Sequence, residues 1–171
     1  MTTAPTLTTD RLTLRALSLA DASLFRDFFA SDHSHFYGGP VGAEQSWRTL
    51  SMYAGHWSLR GYGPWALELR GTGESVGMCG PWYPEGWPEA ELTYFLRAGC
   101  AGKGYAAEAL RAARDWVFGT LGWKTTMSAI RAENSASIAL ATRCGAVLDG
   151  QVEIVPHGMM DIYRYSPTEA A

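Results

Sequence analysis

The chain has 171 residues, 47 % of them apolar and 18 % charged, with a net charge of −3; that is the length of one domain with a sizeable core and excludes a disordered chain. No basic run is present to follow a nucleic-acid backbone, and no stretch of about 18 apolar residues is present to cross a membrane. Three widely spaced cysteines, Cys79, Cys100 and Cys144, argue against a disulfide framework, and with no metal-ligand spacing around them or around His33 and His35 no metal is expected.

Met1 to Asp10 lacks the apolar core of a secretory leader, so a cytoplasmic address is expected. Arg11 to Leu17 alternates and reads as a first strand. Ser18-Leu19-Ala20-Asp21 resembles a capping box, after which Leu24, Phe25, Phe28 and Phe29 make a helical stripe. Ser31 to Gly42 reads as a loop, and Trp47, Leu50, Ala54 and Trp57 are spaced for one face of a second helix. Gly61 to Arg70 and Ser75 to Tyr83 look like paired strands turned at Gly71-Thr72-Gly73, and Ala90 to Arg97 is the next strand. From Gly104 a long helix runs to about Leu121, with Ala106, Ala109, Leu110, Ala113, Trp116 and Val117 at helical spacing. Lys124 to Arg131 reads as a strand, Asn134 to Cys144 as a short helix, and Ala146 to Val155 with Asp161 to Tyr165 as a closing pair. The order β-α-α-β-β-β-α-β-α-β-β makes the class α+β in a single domain, 1–171.

The most informative stretch runs from Tyr94 to Leu110, where a strand enters a glycine-rich turn that opens directly into a helix. The first N–H groups of a helix lack internal partners and sit at the positive end of the macrodipole, so such a turn suits a phosphate. A Walker A loop is excluded, because Arg97 stands where its first glycine belongs and Gly104 where its Ser or Thr belongs. Gly102-x-Gly104-x-x-Ala107 matches the dinucleotide fingerprint loosely, without an acidic residue about 20 positions on. A tight turn before a core helix is the plainer alternative.

Ala101-Gly102-Lys103-Gly104-Tyr105-Ala106 resembles motif A of the GNAT acetyltransferases, Gln/Arg-x-x-Gly-x-Gly/Ala, whose backbone amides grip the coenzyme A pyrophosphate. Ala101 departs from the pattern at its first position. Thr9 to Arg15 looks like the opening strand of the branch typified by ribosomal-protein alanine and serine acetyltransferases. Asn134-x-x-Ser137 with Gly145 looks like that branch's motif B, and Asp161 fits its last strand; Ala146 replaces the usual Phe. The resemblance implies a GNAT fold, a mixed and mostly antiparallel sheet of about six to seven strands flanked by about four helices. It also implies acetyl-coenzyme A as co-substrate, with Phe95, Leu96, Arg97, Gly102, Lys103, Gly104, Tyr105, Ala106 and Asn134 on the cofactor and a main-chain N–H of the 95–97 strand polarising the thioester.

Acetylation of a protonated amine profits from a general base. By resemblance Glu91 takes that role, with Glu89 as competitor and an exposed strand-end carboxylate as the bland reading. Many relatives carry a Tyr seven residues after the motif B Asn to protonate the leaving thiolate; here that position is Ala141, which leaves Ser137 as a donor or as a plain helix-surface serine. Asn134 reads as an N-cap that also touches the ligand. His33, Phe36, Tyr37, Trp57, Trp82, Tyr83 and Trp87 are candidate walls for the acceptor, with Glu85, Glu89 and Glu91 making an acidic rim suited to a cationic amine. The expected acceptor is a small-molecule amine or a protein N-terminus, with no nucleic-acid or membrane partner, and a homodimer is left open. A non-catalytic acyl-coenzyme A sensor and a transferase for a longer donor such as succinyl-coenzyme A are the alternatives.

Overall fold

A computed structural model describes residues 4–167; of the stretch Met1 to Asp10 read above for a leader, the first three residues lie outside that range. Eight strands form one sheet: β1 (Leu7–Thr8), β2 (Leu12–Arg15), β3 (Trp65–Leu69), β4 (Ser75–Trp82), β5 (Glu91–Leu96), β6 (Thr126–Ile130), β7 (Val147–Ile154) and β8 (Gly158–Tyr165). The helices are α1 (Ala22–Phe29), α2 (Ala43–Arg60), α3 (Tyr105–Gly119) and α4 (Ser135–Arg143), with short 3-10 turns at Leu19–Asp21 and Asp32–Tyr37. The sheet has one strand more than the upper expectation, because the two-residue β1 pairs with β2 at Leu7 and Leu14. A pairing that short leaves no periodicity to read. Among the described residues no helix is long and apolar enough to cross a membrane.

Strand order is β1-β2-β3-β4-β5-β6-β8-β7, antiparallel throughout except for the β5–β6 pair. Alternation along the strands sends side chains to two cores. On one face Leu12, Leu14, Leu67, Leu92 and Tyr94 pack with Leu110, Ala113 and Val117 of α3 and Ala141 of α4. On the other, Ala66, Met78 and Phe95 meet Leu24, Phe25, Phe28 and Phe29 of α1 and Leu50 and Tyr53 of α2. Phe95 stacks on Phe28 with centroids 4.1 Å apart and meets Phe25 edge-on at 5.1 Å, which fixes α1 against β5.

Ser18 and Asp21 form the expected capping box. The Asp21 carboxylate is fully buried and accepts from both Arg15 guanidinium nitrogens at 2.9 Å, from the Ser18 N–H at 2.9 Å and from the Ser75 hydroxyl at 2.9 Å. Arg15 also donates to Glu68 at 2.6 Å, so one ion network ties β2, β3, β4 and the start of α1 together.

Candidate active site

The turn between β5 and α3 is built on left-handed glycines. Gly102 (φ +77°) and Gly104 (φ +83°, the N-cap of α3) hold a conformation that L side chains rarely adopt. The first intrahelical bond runs from the Glu108 N–H to the Gly104 carbonyl, so the N–H groups of Tyr105, Ala106 and Ala107 have no intrahelical partner. Arg11 clamps this turn: it donates to the Lys103 carbonyl at 2.8 Å and to Glu108 at 2.7 Å, and its guanidinium lies 4.8 Å over the Tyr105 ring. Thr9 donates to the same Glu108 at 2.6 Å. Sequence reasoning missed the clamp, because Arg11 and Glu108 are far apart in the chain and each reads as a solvated charge.

β5 and β6 pair only at Glu91 and Met127 and then diverge. The Arg97 N–H donates to the Val76 carbonyl at 2.8 Å, so alternation turns the main chain of Phe95 and Arg97 toward β4 and that of Leu92, Tyr94 and Leu96 toward the gap. Ser128 bridges the narrow end by donating to the Leu92 carbonyl at 2.7 Å, and the Tyr37 hydroxyl donates to the Tyr94 carbonyl. Within the expected 95–97 segment, only Leu96 therefore presents an N–H to the gap. Arg97 spends its guanidinium on Glu74 at 2.8 Å.

Two cavities open on this gap. The first, of about 550 Å³, is lined by Phe95, Leu96, Gly102, Gly104, Ala106, Asn134 and Ser137, with Ala136, Ala139 and Leu140 of α4 and Arg143 at its end. Arg97, Lys103 and Tyr105 do not line it. The second, of about 500 Å³, lies on the other side and is lined by Glu91, Thr93 and aromatic side chains. Phe36, Tyr37, Tyr94, Asn134 and Ser137 line both, so the cavities meet where β5 and α4 face each other. Asn134 caps α4 by accepting from the Ser137 N–H at 3.2 Å, and the Ser137 carbonyl accepts from the Tyr94 hydroxyl at 3.2 Å.

Glu91 is 7 % exposed, and its carboxylate accepts from the Ala129 N–H at 3.3 Å. Burial pushes its pKa from an ordinary 4.5 up to about 7, against the smaller opposing pull of the Ala129 amide and the Trp87 indole N–H. Glu89, the competing carboxylate, lies outside both cavities and receives both Arg164 guanidinium nitrogens at 2.8 Å. Ala141 is fully buried in the α3 core and lines neither cavity. The position that the resemblance assigns to a tyrosine thus faces away from the gap, and the hydroxyls that do converge there are those of Ser137, Tyr37 and Tyr94.

Of the candidate walls, Phe36, Tyr37, Trp82 and Trp87 line the second cavity, whereas His33 lines the first. Trp57 is core, packed on Trp65 and donating to the Pro64 carbonyl at 3.0 Å. Tyr83 lies under Arg60 and lines neither cavity. Of the acidic rim, Glu85 and Glu91 line the second cavity, whereas Glu89 is paired with Arg164; Glu85 stands 3.5 Å from Arg60, and Arg131 adds a cation to the wall. Tyr53 and Met52 of α2, Arg131 and His157 also line that cavity. Tyr53 falls on the apolar stripe of α2 and so reads as ordinary core.

The profile of the acetyltransferase (GNAT) domain matches residues 11–147. YkkB, a protein of Bacillus subtilis strain 168, is 33 % identical over 148 residues, which are 81 % of this chain and 83 % of that protein. The crystal structure of an acetyltransferase from Agrobacterium tumefaciens strain C58 is 40 % identical with a TM-score of 0.87, covering 94 % of each chain. The ribosomal-protein-S5-alanine acetyltransferase of Vibrio fischeri shares the fold at 15 % identity and a TM-score of 0.72, over 96 % of this chain and 98 % of that one.

Proposed function

The chain belongs to the GNAT acetyltransferase family, and from that premise we propose that it transfers the acetyl group of acetyl-coenzyme A to a primary amine, of a small molecule or a protein N-terminus, by direct attack in a ternary complex. The observation that carries this reading is the meeting of two cavities at Tyr37, Tyr94, Asn134 and Ser137, with a buried carboxylate, Glu91, in the second alone. A thioester held at the meeting point is open to attack from the second cavity while the rest of its carrier occupies the first.

The first cavity suits coenzyme A. The free N–H groups of Tyr105 to Ala107 and the left-handed Gly102 and Gly104 offer the pyrophosphate a cradle at the positive end of α3. Gly102 has no atom within 4 Å of where a Cβ would stand, so its flank is open to a ligand. The divergent edge of β5 offers the Leu96 N–H to the pantetheine arm or thioester oxygen, an interaction that gains strength as the oxygen becomes anionic. The small side chains of Ala136 and Ala139 leave room opposite.

In the transfer step the amine nitrogen forms a bond to the thioester carbon and the carbon–sulfur bond breaks. Glu91 accepts the proton that the amine sheds, directly or through one water, and a pKa of about 7 places it near the working pH for that task. Ser137 donates a hydrogen bond to the departing thiolate. Release of free thiol from acetyl-coenzyme A in the presence of a panel of primary amines tests the reading. Release that depends on the amine is expected; tight binding without release is the sensor outcome, and a faster rate with succinyl-coenzyme A is the long-donor outcome.

A further inference from the structure

Arg131 stands at the end of β6 in the wall of the second cavity, half-buried. One of its nitrogens donates to the His157 carbonyl, and among the described residues no Asp or Glu lies within 4.0 Å of it. A half-buried guanidinium without a counter-ion contributes little to folding, since it has lost part of its hydration without gaining a paired charge. The Trp87 indole nitrogen is buried in the same wall, has no hydrogen bond within 3.5 Å among the described residues, and is near enough to the Glu91 carboxylate to lower its pKa, so it belongs to the Glu91 end of the cavity.

The placement of Arg131 relative to Glu91 gives the ligand its shape. Glu91 is anchored on the Ala129 N–H, and Arg131 is two residues farther along the same β6 face, about 6.5–7 Å away along the strand. One cavity thus offers a carboxylate for an amine and, in the same wall, a guanidinium for an anion. The aromatic and thioether walls of the same cavity, Tyr53, Trp82, Met52 and Met160, suit an apolar body.

Resting on the acetyltransferase reading above, we propose that the acceptor is a small amine carrying a carboxylate, an amino acid or a close analogue, whose carboxylate is held by Arg131. A peptide N-terminus, which carries a neutral amide where the amino acid has its carboxylate, leaves Arg131 unpaired. The charge of Arg131, not only its hydrogen bond to the His157 carbonyl, does the selecting.

Binding tests this without requiring turnover. With the protein saturated with coenzyme A, calorimetry compares L-methionine, L-leucine and L-phenylalanine with their carboxamides, in wild type, Arg131→Gln and Arg131→Lys. Wild type is expected to favour the carboxylate of at least one pair by about 10- to 100-fold, the usual worth of a hydrogen bond to a charged group. Arg131→Gln keeps a donor for His157 and should erase that preference, whereas Arg131→Lys should keep most of it. Equal affinity for both members of every pair, no binding by any of them, or a preference that survives Arg131→Gln overturns the proposal. Thiol release with the same compounds separates the two readings: carboxylate-selective binding without release sinks acetyl transfer and leaves this assignment standing, whereas release with amides and carboxylates alike does the reverse.

Discussion

At the level of single residues, Glu91 carries the strongest expectations. Its carboxyl titrates near 7 in the folded chain and near 4.5 when exposed. Between those values the folded state holds more protons than the unfolded one, so stability falls as pH rises through that window and stays lowered above it. The rise corresponds to roughly 3 kcal/mol. Glu91→Gln should therefore raise the unfolding free energy by about 2–3 kcal/mol at pH 8 and leave it nearly unchanged at pH 4, as read by urea titration at both values. The same variant should lower turnover by about 10²-fold and remove the rise of rate with pH around 7. Ser137→Ala should slow turnover about 10-fold with little change in cofactor affinity, measured under saturating amine. A tyrosine at Ala141 offers no rescue: the site is fully buried, and overpacking it should cost about 1–3 kcal/mol in a denaturant titration. That Glu91 begins the strand leading into the glycine turn was legible in the sequence, but its burial was not, nor was the pairing of Glu89 with Arg164, 75 positions away.

At the level of elements, the β5–α3 turn sets conformational cost against ligand contact, and two glycines separate them. Gly99 (φ +80°) and Gly102 (φ +77°) have the same left-handed backbone and no neighbour within 4 Å of a new Cβ, but only Gly102 lines the first cavity. Alanine at either should destabilise by a similar amount, about 1–2 kcal/mol. Only Gly102→Ala should also weaken coenzyme A binding, by 10-fold or more on the scale of lost contacts; equal affinities for the two variants in calorimetry count against the cradle. Helices and strands were readable here to within a few residues where periodicity was long, as in α3 and β5. The 3-10 turn at Asp32–Tyr37 was read as loop, because its polar start and aromatic end have no repeating face. That miss matters, since this turn delivers Tyr37 to the Tyr94 carbonyl.

Across the whole molecule, stability and site share one sheet. The Arg15–Asp21–Glu68–Ser75 network joins its first strands at a distance from both cavities. Burial alone pushes the Asp21 carboxyl up, but the Arg15 guanidinium, the Ser18 amide and the Ser75 hydroxyl outweigh it and hold the pKa below 3.8. With the folded value depressed, the stabilisation is present above the ordinary carboxylate range and is lost as pH falls through the folded value. Asp21→Asn should cost about 3 kcal/mol at pH 7, and progressively less as pH falls below the ordinary carboxylate range, in thermal or urea unfolding, with cofactor affinity unchanged. The class and the glycine turn were visible in local patterns such as Gly102-Lys103-Gly104. The second cavity was not, because it draws on α2, β5, β6 and the β7–β8 turn, whose contributions meet only once the chain has folded.

The central claim is that acetyl groups pass between the two cavities with Glu91 as base. It is tested most directly by the pH–rate profile of amine-dependent thiol release from acetyl-coenzyme A, measured for wild type and Glu91→Gln. A wild-type rate that climbs through pH 7 and a flat Glu91→Gln profile about 10²-fold lower is the predicted result. A Glu91→Gln profile that overlays the wild-type curve, or thiol release that ignores the amine, contradicts it.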